Sequence, residues 1–137
     1  MPRRPKAYVL DSWAIIAFLQ AQPDGATIFD LLTSAHEHDI PLLMSVVNAS
    51  EVWYIKARRT SSSDADKVIA ELKQIGIEFV DVHWELAHEA ARLKAKNQMS
   101  FADSFAVALA RERKASLVTG DPAFKDIESE VSIEWLK

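Results

Sequence analysis

A chain of 137 residues, 49% hydrophobic and 26% charged, is sized for one domain with one substantial core. It carries no cysteine, which excludes disulfides and thiolate metal sites and fits a reducing, cytoplasmic setting. Its net charge of −4 excludes a protein that holds nucleic acid by bulk charge alone, yet leaves room for an acidic metal site whose cations recover part of the charge.

Residues 1–6, Met1-Pro2-Arg3-Arg4-Pro5-Lys6, read as a short, mobile basic tail ahead of a single domain at 7–137. The apolar stretch Val9–Leu19 is broken by Asp11 and is too short to span a bilayer, so no membrane association is expected. Ala7–Leu10 is a buried strand ending at Asp11-Ser12, a pair suited to a helix N-cap. A short buried helix, Trp13–Leu19, follows. Pro23-Asp24-Gly25 reads as a turn, and a helix runs from about Ala26 to Glu37. Ile40–Met44 is a second strand, with Pro41 at its start. Ser45 caps a helix over Val46–Arg59 that sets Val47, Glu51 and Ile55 on one face. Thr60–Asp64 is a loop or capping segment before a helix from Ala65 to about Ile75, stopped by Gly76.

Ile77–Val82 alternates as a strand. Trp84–Lys96 is a helix with a basic end that suits its dipole, and a second helix occupies the small, apolar stretch Ser100–Ala110. Ala115–Thr119 is a further buried strand, stopped by Gly120-Asp121-Pro122, and Val131–Leu136 adds a last short one. Alternating strands and helices predict an α/β domain with a mostly parallel central sheet of four to five strands and helices on both faces.

Four acids stand out because each has an apolar residue within three positions on both sides: Asp11, Glu51, Asp103 and Asp121. Asp11 and Asp121 follow strand ends, where open parallel sheets bind ligands. Each acid also has a plain structural reading. Asp11 fits an N-cap, and Glu51 fits an exposed helix residue facing Arg58 or Arg59. Asp103 fits a Ser-x-x-Asp capping box with Ser100, and Asp121 fits a turn. Caps and turns, however, give no reason for a Glu on an inward helix face. If the four converge they repel, by about 1 kcal/mol per pair at 4 Å in water and about 4 at an effective dielectric of 20. Relief then needs protons or divalent cations. An oxygen-only set with no Cys and no well-placed His favours Mg²⁺ or Mn²⁺ over Zn²⁺, and such a cation suits phosphodiester hydrolysis.

Val9-Leu10-Asp11-Ser12, Ser45–Glu51, Ser100–Ser104 and Leu117–Phe124 are similar, in order and spacing, to the PIN domain. The compact single-domain form resembles the VapC toxins of type II toxin–antitoxin systems. The resemblance covers nearly the whole chain. It implies a Mg²⁺- or Mn²⁺-dependent endoribonuclease, usually a homodimer, that cleaves RNA and is neutralised by a cognate antitoxin covering the active-site groove. It makes Asp11, Glu51, Asp103 and Asp121 the catalytic and metal-binding quartet, with Asp11 and Asp103 as principal ligands. Ser12 and Thr119 become hydroxyls hydrogen-bonded beside the acids, and Asn48 a polar neighbour of Glu51.

Two departures from the family pattern are visible. Trp13 is bulky where a smaller residue often follows the Asp–hydroxyl pair, which narrows the site. Asn97-Gln98-Met99 replaces a glycine-bearing turn. His36, His38, His83 and His88 show no spacing that pairs with the acids and read as structural or surface residues. Arg58, Arg59, Lys94, Lys96, Arg111, Arg113 and Lys114 read mostly as solvated faces, with RNA steering as the alternative. Trp53 and Tyr54 suit either a dimer or antitoxin surface or the core. Two rival functions are a phosphoacceptor α/β domain, receiver- or phosphatase-like, and a non-catalytic module on the same fold. The first lacks the second acid its motif wants, since Ser12 and Trp13 follow Asp11.

Overall fold

The structure, a computed structural model, describes residues 4–20 and 23–136, so Met1–Arg3 of the basic tail lie outside the described residues. Five short strands, β1 (Tyr8–Leu10), β2 (Leu42–Ser45), β3 (Ile77–Val80), β4 (Ser116–Thr119) and β5 (Ile133–Trp135), form one sheet in the order β3-β2-β1-β4-β5. Every pairing is parallel.

Side-chain alternation explains why both faces need cover. Val9, Leu43 and Leu117 enter one apolar cluster, while their neighbours Leu10, Leu42, Met44 and Val118 enter the other. Helices α5 (Trp84–Lys96) and α6 (Phe101–Arg113) cover the first face through Leu86, Ala90, Leu93, Phe105 and Leu109. Helices α1 (Ser12–Leu19), α2 (Pro23–Glu37), α3 (Val46–Arg59) and α4 (Ser62–Gln74) cover the second, through residues such as Ile15, Ile28, Val52 and Leu72.

Two predicted starts are corrected. Pro23–Gly25 is the first turn of α2 rather than a turn before it, because proline's fixed φ and missing N–H suit the first helical position as well as a bend. Helix α4 begins at Ser62, three residues before the expected Ala65, because Ser61 takes the cap and accepts from the Asp64 N–H at 3.0 Å. Gly76, at φ 95°, ends that helix as expected.

The turn without glycine between α5 and α6 needs none. Asn97 has φ −130° and sends its amide to the Leu93 carbonyl at 2.9 Å, and Met99 is buried in the core. Helix α6 is buried from Ser104 to Ala110, and alanines at 106, 108 and 110 let it lie close to its neighbours. It closes on Lys114 in the left-handed region, φ 53°.

The chain builds β1, β2 and β3 outward to one side, then returns to lay β4 on the other flank of β1. The crevice at the carboxyl ends of β1 and β4 is therefore the topological switch point, where open parallel sheets bind ligands. Asp11 follows β1 and Asp121 follows β4 by two residues.

Candidate active site

Asp11 turns the chain from strand to helix in one residue, with φ −87° and ψ 173°, and caps α1. It is 1% exposed. One carboxylate oxygen accepts from the Ala14 N–H at 2.8 Å, and the other accepts from the Thr119 hydroxyl at 2.5 Å. Thr119, fully buried at the end of β4, also accepts from the Asp121 N–H at 3.1 Å. A single hydroxyl thus ties the two strand ends together.

The neighbouring Ser12 reaches the opposite way and donates to the Glu51 carboxylate, on the second turn of α3. Asp103 lies in the first turn of α6, and its N–H donates to the Ser100 hydroxyl at 3.1 Å. The Asp103 carboxylate is in turn hydrogen-bonded by Ser100, so the expected capping box exists. Asp121 accepts from the Ala123 N–H at 2.9 Å and caps a 3-10 turn, Pro122–Ile127. Two of the four acids, Asp11 and Asp121, are therefore N-caps, and Asp103 is the first-turn partner of the cap Ser100. Glu51, Asp103 and Asp121 are half-buried.

The acids feel one another. Burial, above all, pushes the Asp11 carboxyl up from 3.8 to about 7; the Thr119 and Ala14 hydrogen bonds oppose this, and the Asp103 and Asp121 charges add to it. Burial likewise raises Asp103 to about 6, opposed by the Ser100 hydroxyl and backbone N–H and reinforced by Asp121 and Glu51. All four carboxylates are linked by these repulsions. Among the described residues, no three acidic or histidine side chains already stand close enough together to hold a metal ion. Each acid is held instead by a cap or a hydroxyl, as like charges without a counter-charge should be. The donor set is oxygen only and strained toward protonation, which fits a hard divalent cation.

Asn48 is fully buried one turn before Glu51 and donates to the Ala102 carbonyl at 3.1 Å, bracing α3 against the start of α6. Its Oδ1 is the one buried side-chain polar atom left without a partner among the described residues.

The histidines and several other candidates have partners other than the four acids. His36 packs on Gly76 and meets the Ile75 carbonyl, and His38 meets the Ser34 carbonyl. His83 caps α5 and contacts Glu85 and Glu112, while His88 stacks on Trp84. Arg111 pairs with Glu89 and Glu130. Trp53 donates to Asp66, and Tyr54 is exposed beneath Arg58. Sequence reading missed how closely Trp13 fits Gly120. A β-carbon built on Gly120 would fall 2.3 Å from the indole. The available signal was a glycine directly before Asp121.

A family model described as PIN domain matches residues 8–130. No curated protein matches the chain at a significant level. Among solved structures, VapBC2 from Rickettsia felis bound to a DNA fragment from its promoter superposes with a TM-score of 0.78 at 15% identity, covering 96% of this chain and 99% of that one. Mycobacterium tuberculosis VapC20, a sarcin-ricin loop cleaving toxin, gives 0.70 at 17%, covering 91% and 96%. VapBC-5 from the same organism gives 0.60 at 23%, covering 97% and 99%. At these identities the likeness is one of fold. No helix among the described residues is long and apolar enough to cross a membrane.

Proposed function

The chain belongs to the PIN domain family, and on that footing we propose that it is a Mg²⁺- or Mn²⁺-dependent endoribonuclease, the cytoplasmic toxin of a toxin–antitoxin pair. The observation that carries the reading is Asp11, a sealed carboxylate at the sheet's switch point, opposed by the charges of Asp103 and Asp121. Such an arrangement costs stability by itself and gains a purpose when a cation arrives. The phosphoacceptor reading is set aside with the family.

Asp11, Glu51, Asp103 and Asp121 would hold the metal. Bound there, a divalent cation supplies Lewis-acid chemistry, polarising a phosphoryl oxygen and acidifying a water. Thr119 fixes the orientation of Asp11, and Ser12 does the same for Glu51. Asp11 has donors on both oxygens and serves as the anchor. Asp103 and Asp121, partly open to solvent, would complete the metal's ligand set on the accessible side.

The partner proposals draw on the neighbours. R. felis VapBC2 is bound to promoter DNA, VapBC-5 belongs to a family of toxin–antitoxin systems, and VapC20 cleaves the sarcin-ricin loop. This chain is expected to be held inactive by a cognate antitoxin and, as the resemblance to the VapC toxins implies, to act as a homodimer. The direct test is RNA cleavage with Mg²⁺ or Mn²⁺ against EDTA, in wild type, Asp11→Asn and Asp103→Asn, with folding followed by circular dichroism. Cleavage should need the cation and vanish in both variants. Unchanged cleavage in both would refute the site, and no heat of binding for either cation would favour the non-catalytic module.

A further inference from the structure

Trp13 lies two residues after Asp11, and the tip of its six-membered ring is plugged into the turn that carries Asp121. A β-carbon on Gly120 would fall 2.3 Å from Cη2, 2.4 Å from Cζ3 and 3.1 Å from Cζ2. Gly120 does not have a positive φ, whereas Gly76 does. Its lack of a side chain therefore serves the close approach of the indole, not the backbone. The indole bridges the first turn of α1 to the end of β4, the two segments that bear Asp11 and Asp121.

Core filling alone does not account for this residue. Its helix neighbours Ala14 and Ile15 are fully buried, whereas Trp13 packs against that cluster and stays half-buried. The indole N–H of Trp53 donates to Asp66 and that of Trp135 to Glu128. Among the described residues nothing accepts from the N–H of Trp13, and the only sealed, unpartnered polar atom is Asn48 Oδ1. Trp13 is therefore half-buried, its N–H not fully sealed, while the six-membered ring is packed on Gly120. A flat, rigid, partly open aromatic at fixed distance from two carboxylates is the kind of platform on which single-stranded nucleic acids stack a base.

We propose that Trp13 is the specificity-determining residue of this nuclease, stacking an unpaired nucleobase beside the phosphate to be cleaved. The inference rests on the nuclease reading above and deepens it. Carboxylates and a cation engage phosphate, which every nucleotide has; Trp13 engages the base, which a duplex withholds. The substrate class is therefore RNA with an unpaired base next to the cut.

The test uses the full chain and short unstructured RNAs with a single abasic site moved along the strand. Binding is read by fluorescence anisotropy in EDTA, and cleavage in Mn²⁺. One abasic position should weaken wild-type binding about tenfold and leave the binding of Trp13→Ala unchanged. Trp13→Ala should itself raise Kd and KM about tenfold, with the larger share of the loss in KM, and Trp13→Phe should restore most of it. Gly120→Ala, whose methyl must push the indole aside, should copy Trp13→Ala without removing the ring, and stands in for it if that variant does not fold. If wild type cleaves RNA but no abasic position matters, or if abasic costs are equal in wild type and Gly120→Ala, the inference falls and the nuclease reading survives. If wild type neither binds nor cleaves these RNAs, both fall.

Discussion

Asp11→Asn should make the metal-free protein more stable above neutral pH. In the folded state burial and the neighbouring carboxylates lift Asp11 from 3.8 to about 7. Between those values the folded protein holds a proton that the unfolded chain has released, so stability declines as pH rises from about 4 to about 7. At about 1.4 kcal/mol per pH unit, full ionisation costs the fold about 4 kcal/mol from this residue alone. Asparagine removes the charge, keeps the N-cap on Ala14 and weakens the tie to Thr119 by about 1 kcal/mol. The net gain at pH 8 is about 3 kcal/mol, or roughly 10 °C in Tm for a chain of this size. Scanning calorimetry in EDTA from pH 4 to 8.5 measures it. Wild type should lose stability across the window, while the variant's curve should be much flatter. A wild-type curve level from pH 4 to 7, or an Asp11→Asn protein melting below wild type at pH 8, would refute the reasoning.

The other expectations share that apparatus. Mn²⁺ at a hundredfold excess over its Kd should raise wild-type stability by about 2.7 kcal/mol, and Asp11→Asn should lose most of that rise; a wild-type Tm indifferent to both Mn²⁺ and Mg²⁺ would count against the cation site. Thr119→Val strips a hydrogen bond that lowers the Asp11 pKa, so its stability loss should extend to higher pH. It should also cost about 2 kcal/mol for the orphaned Asp121 N–H, read from the same melts. Met99→Ala should cost about 2–4 kcal/mol if the turn before α6 is anchored as described, as chemical denaturation would measure. Asn48→Ala should cost about 1 kcal/mol through the lost bond to Ala102, and an unchanged midpoint would deny Asn48 its bracing role.

Much of the fold was legible because its signals are local. Val9/Leu10, Leu42/Leu43 and Leu117/Val118 are apolar on consecutive residues, as strands covered on both faces must be. The α3 and α5 boundaries, Val46–Arg59 and Trp84–Lys96, follow from cap and dipole residues in plain view. Ambiguity arose where one residue type serves two structures: Pro23 suits a turn or a helix start, and any serine of Ser61–Ser63 suits a cap. Lys114 takes a left-handed conformation that a sequence normally advertises with glycine. At the candidate site the types of residue were readable and their partners were not. Ser12 meets Glu51 across 39 positions and Thr119 meets Asp11 across 108. Such pairings depend on strand order, which no local pattern encodes. The Trp13–Gly120 fit is of the same kind.

The double employment of Asp11 and Asp121 as helix caps and cluster members should leave a trace in descent. A copy of this gene released from selection for cutting would remain under selection for folding. Asparagine and serine cap about as well as aspartate and carry no charge to oppose burial. Decay at these two positions should therefore run to Asn and Ser first, while position 51, which caps nothing, drifts more freely. Lineages that silenced the activity would be recognisable by that asymmetry, with the fold intact around it.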